Sequence, residues 1–515
     1  MPPRVAPIID MRSNRDMRNL PKQNRSMCRF SSLRKETQYL LTPRIVRNGS
    51  NDGRVKPPNI VLVITDQQNI DAISAYKKHF ADKAYACHNL HTPHLDRMVS
   101  DGFSFLQSHS ANPVSCPARA SLFTGHWSIE NGVTYNNIGI DKTIPNLAEW
   151  LSKKSEYRCY YAGKWHAGGQ WNYPETDGPR KIPGFETIPV SEYGLGAHTD
   201  AQVSMAVKSF ILNDKQPTPF FVVAGLMNPH DICYWIPALQ GKTLTNPAHV
   251  DILQDDYPPL PPNLNYDFAE PAQLADTRQR MDGAWWQNYL SDYHRMVEMV
   301  DMEIGRILDA VDARGGDTVV IFTSDHGEGH ARHARVQKWH PYEESVKVPL
   351  IFYCPGYIRA GEDTKTLVSG IDVFPTICQM AGVDPPESVN GKSLLKYITG
   401  VGAAPKRDHI IVEFMHTGRV VRNAKYKYVK MYIFSGQPDA PFVRRDNNLP
   451  AAFVPGKQSE YKVDPALQLF DMENDPWETV NLACDPAYAQ IIKQMEKLLS
   501  RWEDSVKPGF HFDRN

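Results

Sequence analysis

The amino-acid sequence predicts an α/β fold, with a large, mainly parallel sheet flanked by helices and a smaller C-terminal α+β domain. From Asn59 onwards, short apolar runs alternate with amphipathic stretches, a pattern typical of strands joined by crossover helices. Apolar residues recur at helical spacing between positions 289 and 311, which predicts a long helix packed against the sheet. Strand-like runs at 410–414 and 426–429 precede a helical stretch from about 488 to 502, which indicates the smaller domain.

Composition is that of a globular protein. The chain has 515 residues, of which 41% are apolar and 22% are charged, so it can bury a large core. We expect a larger domain over residues 56–385 and a C-terminal subdomain over residues 386–515. The formal net charge is -1, which gives no electrostatic reason to expect a nucleic-acid partner. No apolar run reaches the length that spans a bilayer, so no membrane partner is expected either.

Residues 1–55 differ from the rest of the chain. They carry ten arginines, few acidic residues and no periodic apolar pattern, which predicts a poorly ordered basic tail. They also lack the continuous apolar segment of a secretory signal. A cytoplasmic location is therefore the default expectation, and a periplasmic or secreted location is the alternative if the natural start lies elsewhere.

Four strand-like runs each end in polar side chains that can carry chemistry. In chain order these side chains are Asp66 with Gln67, Lys164 with His166, His230, and Asp325 with His326. In open α/β sheets, ligands bind beyond the carboxyl ends of the strands. We therefore expect these four strand ends to converge on one crevice.

The block from Ser115 to Arg119, with Pro117 between them, predicts a nucleophile at the start of a helix. A hydroxyl there lies among unpaired backbone N–H groups at the positive end of the helix dipole. An arginine one turn later can hold a developing oxyanion. The arrangement suits attack on an anionic ester.

This block resembles the signature of the sulfatase family, in which a cysteine or serine nucleophile is followed by any residue, proline, any residue and arginine. Pro117 and Arg119 set the register, so the nucleophile is Ser115 and Cys116 falls one place too late. The resemblance runs from about residue 57 to the C-terminus and implies an alkaline-phosphatase-like fold whose C-terminal domain holds a short antiparallel sheet. It also implies that a maturation enzyme oxidises Ser115 to formylglycine.

The strand-end residues also suggest a metal site. Two carboxylates, an amide oxygen and an imidazole suit a divalent cation, although a single aspartate at a strand end commonly caps the next helix instead. The resemblance implies that Ser115 and four strand-end residues hold the ion; those four are Asp66, Gln67, Asp325 and His326. Ca²⁺ is favoured, with Mn²⁺ or Mg²⁺ as alternatives, because the histidine nitrogen widens the choice.

The resemblance further implies roles in charge and proton handling. Arg119, Lys164, His166, His230 and Lys338 match family positions of that kind. His230 or Lys338 is expected to protonate the departing alcohol, and His166 is expected to act as the base that releases sulfate. The expected substrate is a sulfated small molecule or oligosaccharide. A phosphonate or phosphate ester hydrolase, an aryl or choline sulfatase and a non-catalytic carbohydrate-binding relative stay open as alternatives.

Overall fold

A computed structural model describes most of the chain beyond the basic N-terminal segment. The described residues are 57–79, 88–167, 181–191, 194–234, 257–434 with short gaps at 267, 269, 272–273, 275–277 and 415–417, then 461–463 and 467–506. The tail predicted over residues 1–55 lies outside them. No helix in these ranges is both long enough and apolar enough to cross a membrane.

An eight-stranded sheet forms the centre of the described part. Its strands, in chain order, are β1 (Asn59–Asp66), β2 (Phe103–Phe105), β4 (Arg158–Gly163), β5 (Glu186–Thr187), β6 (Phe220–Pro229), β7 (Thr318–Ser324), β8 (Leu350–Tyr353) and β9 (Gly361–Asp363). Their spatial order is β5-β4-β6-β1-β7-β8-β2-β9, and every neighbouring pair is parallel except the two that involve β8. Two further short strands, β3 (Ser108–His109) and β10 (Val368–Ser369), pair with each other. The mainly parallel sheet predicted from the apolar runs is confirmed.

Helices cover both faces of this sheet. The helices of the described ranges are α1 (Pro93–Asp101), α2 (Ser115–Thr124), α3 (Ser128–Asn131), α4 (Leu147–Lys154), α5 (Gly196–Asn213), α6 (Gly283–Arg314), α7 (Glu343–Val346), α8 (Val373–Met380), α9 (Leu395–Ile398) and α10 (Ala489–Ser505). On one face of β1, Ile60 and its alternate neighbours pack with α2, α4 and α8, and on the other face Val61 and Val63 pack with α1, α5 and α6. The long helix predicted between 289 and 311 is α6, which runs further in both directions.

The C-terminal part is an antiparallel sheet with a terminal helix, as predicted. The order β11-β12-β13-β14 has β15 also paired with β13, and α10 packs its Met495, Leu499 and Trp502 on the sheet. The strands are β11 (His409–Phe414), β12 (Gly418–Asn423), β13 (Tyr426–Phe434), β14 (Tyr461–Val463) and β15 (Gln468–Asp471). This sheet supports the segment that leads into α2, since the Glu413 amide donates to the carbonyl of Ala111 at 2.9 Å. The domain boundary at residue 385 stays a prediction.

Candidate active site

The carboxyl ends of β4, β6, β1 and β7 meet at one edge of the sheet, where these strands are consecutive neighbours. Asp66 ends β1, and Asp325 follows β7 directly. Lys164 follows β4, and His230 follows β6. The chain order of these strands says nothing about their adjacency, but parallel strands share one carboxyl edge, so the predicted convergence is found.

Ser115 is the first residue of α2, and its side chain faces this edge. Its Oγ lies 2.8 Å from the Nε2 of His326. The Nδ1 of the same ring lies 2.9 Å from the carbonyl oxygen of Gly327, so Nδ1 carries the hydrogen and Nε2 presents its lone pair to Ser115. Burial lowers the pKa of His326, which favours this neutral tautomer.

The neighbouring thiol of Cys116 does not share this position. Its backbone N–H donates to the Oδ1 of Asn136 at 3.1 Å, and its Sγ points to the carbonyl of Ile138 at 3.7 Å. The side chain packs with Ala120 and Val133 in a small apolar cluster. The Cys116 thiol therefore lies in this apolar cluster, and the choice of Ser115 as the nucleophile stays a prediction.

Asp66, Asp325 and His326 form a buried group that can hold a cation. One ligand atom from each lies within 4.8 Å of the others. The Oδ1 of Asp66 is buried and accepts no hydrogen bond from any described residue. It lies 3.8 Å from the Nε2 of His326. An unsatisfied carboxylate oxygen beside a second carboxylate and a neutral imidazole nitrogen fits a divalent cation.

Arg119 is fully buried and lies against both carboxylates of this group. Its Nε donates to the Oδ2 of Asp325 at 2.8 Å, and one terminal nitrogen donates to the carbonyl of Lys164 at 2.9 Å. The other terminal nitrogen lies 3.5 Å from the Oδ2 of Asp66. Burial opposes its charge, but Asp325 and Asp66 outweigh burial and raise the pKa of Arg119. Arg119 thus contacts both carboxylates in this geometry, and its predicted contact with a developing oxyanion stays a prediction.

Lys164 is the second cation at the carboxylates. Its Nζ lies 2.6 Å from the Oδ2 of Asp66, and both side chains are almost fully buried. Burial lowers the pKa of Lys164, and the Asp66 charge opposes that shift. For Asp66 the balance is the reverse: burial acts to raise its pKa, but the charge of Lys164 holds that pKa well below its ordinary value. Asp66 is therefore ionised at neutral pH.

Gln67 connects Lys338 to a buried glutamate. Its Oε1 accepts from the Nζ of Lys338 at 2.6 Å, while its Nε2 donates to the Oε2 of Glu328. Tyr289 donates to the other oxygen of Glu328 at 2.6 Å. The same Oε1 also lies 3.3 Å from the Sγ of Cys233, so both of its lone pairs have partners, and its predicted role as a metal ligand stays a prediction.

His166 and His230 are held neutral. Burial is the main reason that the pKa of His166 lies well below its ordinary value, and the charge of Lys164 adds to it. For His230, burial and then the charges of Lys338 and Lys164 act in the same direction. The Nδ1 of His230 has no hydrogen-bond partner among the described residues. Both rings are therefore uncharged at neutral pH in the substrate-free site.

A comparison with family models shows which family the chain belongs to. The model described as Sulfatase matches residues 58–383, which include every predicted site residue. The chain belongs to the sulfatase family. A second model, described as N-sulphoglucosamine sulphohydrolase, C-terminal, matches residues 331–436. The predicted resemblance is confirmed, and this protein is a hydrolase of that family.

The similarity to relatives and to solved structures covers most of this sulfatase. A Delta 4,5-hexuronate-2-O-sulfatase of Bacteroides thetaiotaomicron is 25% identical over 88% of this chain and 90% of its own length. A protein solved in complex with its substrate D-glucosamine-2-N,6-O-disulfate has a TM-score of 0.66 and 21% identity, covering 89% of this chain and 100% of that one. The phosphonate monoester hydrolase of Agrobacterium radiobacter has a TM-score of 0.65 and 21% identity, covering 87% and 96%. The predicted alkaline-phosphatase-like fold is confirmed.

Two site residues of this sulfatase were not predicted. Glu328 lies two positions beyond His326, and Cys233 lies three positions beyond His230. The Sγ of Cys233 is 3.3 Å from both polar atoms of the Gln67 amide and 3.9 Å from the Nζ of Lys338. Burial raises the pKa of the Cys233 thiol to about 11, so it is protonated at neutral pH. Nearness in sequence to predicted residues was the only available signal for either residue.

Proposed function

We propose that this sulfatase releases inorganic sulfate from a sulfated carbohydrate, with residue 115 as the nucleophile beside a divalent cation. One observation carries the proposal. The Oγ of Ser115 lies 2.8 Å from the Nε2 of His326, within a buried group that also contains Asp66 and Asp325. The hexuronate and glucosamine sulfates named for its relatives support a saccharide, either an oligosaccharide or a smaller sulfated molecule, as the partner.

The cation would be held by Asp66, Asp325 and His326, together with residue 115 and the Gln67 oxygen, which would exchange its contact with the Cys233 thiol for the ion. We propose Ca²⁺, because four of these five donors are oxygens, with Mn²⁺ or Mg²⁺ as alternatives. When bound, the ion would neutralise charge on the sulfate ester and favour an ionised nucleophile. Removing it with a chelator should abolish turnover, and re-adding single metal salts should show which ion restores it.

We propose formylglycine as the mature form of Ser115. In its hydrated form it would supply one hydroxyl for attack on sulfur and a second whose deprotonation releases the product. Ser115 is only 2% exposed and lies at the start of a packed helix. A maturation enzyme therefore has to reach this residue before the chain folds around it.

The remaining roles, which are binding of the sulfate oxygens and proton transfer, belong to side chains of this chain. Lys164 and Lys338 would donate N–H groups to the sulfate oxygens, since their Nζ atoms contact Asp66 and Gln67 at the proposed cation site. Neutral His166 accepts the proton whose removal restores the aldehyde, as predicted from the sequence. Lys338 is the better acid for the departing alcohol, because His230 is held neutral in the substrate-free protein. His230 can still donate one hydrogen bond to that oxygen.

A phosphonate monoester hydrolase is the second candidate, since one such enzyme shares the fold over 87% of this chain. The buried cation site and two lysines suit a phosphonate anion as well as a sulfate. Only the chemistry of turnover separates the two functions.

Two measurements on protein from its native source test the proposal. Mass spectrometry of the tryptic peptide that spans residues 98–119 should show a loss of about 2 Da if Ser115 is oxidised. Sulfate release should be measured on sulfated mono- and disaccharides, beside an aryl sulfate and an aryl phosphonate. Release from a saccharide supports the proposal, whereas turnover of the phosphonate alone would select the second candidate.

A further inference from the structure

Two half-buried aromatic side chains lie together beside the active site. The rings of Tyr135 and Trp339 have centroids 5.7 Å apart and are inclined by 41°. Both are only partly covered by protein, unlike the fully buried aromatics of the sheet core. No step of the proposed reaction uses either of them.

Both rings are attached to site residues by the backbone. Trp339 directly follows Lys338, whose Nζ lies 2.6 Å from the Oε1 of Gln67. Tyr135 directly precedes Asn136, whose Oδ1 accepts the backbone N–H of Cys116 at 3.1 Å in the first turn of α2. The pair therefore lies between the segment that carries the nucleophile and the segment that carries the lysine.

An apolar base supports the two rings. They pack against a buried cluster that contains the residue preceding Ser115 and one residue from each of two strands of the C-terminal sheet. The members of this cluster are Val114, Leu274, Phe414 and Met431. With their backs held in this way, the rings have fixed orientations and lose little side-chain entropy when a ligand binds.

The loop that presents Trp339 holds an unusual number of left-handed residues. Trp339 itself has a φ of 84°, which is strained for a bulky side chain. The other non-glycine residues of positive φ in this loop are His330, Ala331, His333, Ala334 and Gln337. Such strain persists only where surrounding contacts over-determine the backbone, and it concentrates at functional sites.

Those contacts come largely from Arg335 and Gln337. The buried Arg335 guanidinium donates to the carbonyl of Leu274 at 2.8 Å and to the Oε1 of Glu270 at 2.7 Å. The Gln337 amide donates to the Oε1 of Glu328, which also holds Gln67. The loop is thus fixed so that Lys338 turns into the site while Trp339 stays partly exposed beside it.

We propose that Tyr135 and Trp339 form a platform for a pyranose ring of the sulfated saccharide, an inference that rests on the proposed function. The faces of a pyranose ring present C–H groups, which pack on aromatic faces, while its hydroxyl groups remain free to make hydrogen bonds. A sulfate placed against Lys338 and residue 115 puts the sugar that carries it, or its neighbour, next to Trp339. The platform therefore contributes to substrate binding and not to sulfur chemistry.

The test uses Trp339→Ala, Trp339→Phe and Tyr135→Ala in the full chain. Kinetics are measured on the best substrate from a panel of sulfated mono- and disaccharides, with inorganic sulfate as a competitive inhibitor. We expect Trp339→Ala to raise KM about tenfold with little change in kcat or in the inhibition constant of sulfate. Trp339→Phe should recover most of the loss, and Tyr135→Ala should raise KM less than Trp339→Ala does.

Trp150→Ala is the matched control. This tryptophan is also partly exposed, but it lies on α4 and donates its indole N–H to the carbonyl of Asp384 at 2.9 Å. Its removal should leave KM unchanged. An unchanged KM in Trp339→Ala would overturn the platform, and so would an equal rise in KM and in the sulfate inhibition constant, which would mean that Trp339 acts by positioning Lys338. If the wild-type enzyme releases sulfate from no saccharide of the panel, the proposed function itself fails.

Discussion

Replacing Asp325 by alanine should destabilise the fold as well as remove a proposed metal ligand. The carboxylate is 2% exposed and accepts from the Nε of Arg119 at 2.8 Å and from the amide of His326 at 2.8 Å. Alanine leaves the fully buried Arg119 with Asp66, 3.5 Å away, as its nearest carboxylate. Removing one partner of a buried ion pair costs about 3–5 kcal/mol, so we expect the free energy of unfolding to fall by that amount.

Urea unfolding of Asp325→Ala and of the double variant Arg119→Met, Asp325→Ala measures this effect. Methionine at position 119 removes the guanidinium charge that has lost its Asp325 partner, and it keeps an extended side chain. The double variant should therefore recover at least half of the lost stability. Sulfate release and bound metal, measured by elemental analysis, should be absent from both variants. Asp372→Ala is the matched control, because Asp372 pairs with Arg407 in a buried bridge that includes no residue of the proposed site. It should lose stability but keep its turnover per folded molecule.

Two results would refute this reasoning. If Asp325→Ala is as stable as the wild-type protein, or the double variant is no more stable than the single one, Arg119 does not depend on that carboxylate for its charge balance. If Asp325→Ala keeps its metal and its turnover, the cation is not held where the geometry places it. The two results are independent, since one concerns unfolding and the other concerns metal content.

Three further predictions follow from the site and the core. Ser115→Ala should abolish sulfate release, whereas Cys116→Ala should retain it in the same assay. Glu328→Gln should lower kcat/KM about tenfold by freeing the amide that orients Lys338, and Tyr289→Phe, which removes one hydrogen bond to the same carboxylate, should lower it less. Burial raises the pKa of Glu413 from 4.5 to about 7, so the folded state keeps a proton that the unfolded state releases between these values. Stability should therefore fall by about 3 kcal/mol as pH rises through that window, and urea unfolding of Glu413→Gln should show a smaller fall.

The sequence predicts the sheet and its carboxyl edge well, and physical reasons explain why. A strand buried on both faces, such as β1, is a continuous apolar run, and the first polar residue after it marks the carboxyl end. Asp66, Lys164, His230 and Asp325 could therefore be assigned to one crevice without knowing which strands are adjacent. The helical spacing of the apolar residues in α6 is an equally direct signal, because it depends only on local geometry.

Side-chain direction and long-range pairing could not be predicted in the same way. The orientation of Gln67 depends on Glu328 and Lys338, which are distant in sequence and come close only in the folded chain. Tyr135 and Trp339 form a pair for the same reason, and each alone would pass for an ordinary surface aromatic. Sequence spacing has no information on which of several nearby polar groups a buried side chain will choose.

The direction of Arg119 explains the spacing of the motif that first pointed to the site. Ser115 and Arg119 are four residues apart in α2, so they lie on one face of the helix, one turn apart. From that face, Ser115 contacts His326, and Arg119 contacts Asp325, which directly precedes His326 in the chain. Both contacts therefore tie α2 to the same two residues after β7, and the distance between nucleophile and cation site is set by one helical turn. Moving the arginine by one position would rotate it by about 100° around the helix and break this connection, even with every individual residue type retained.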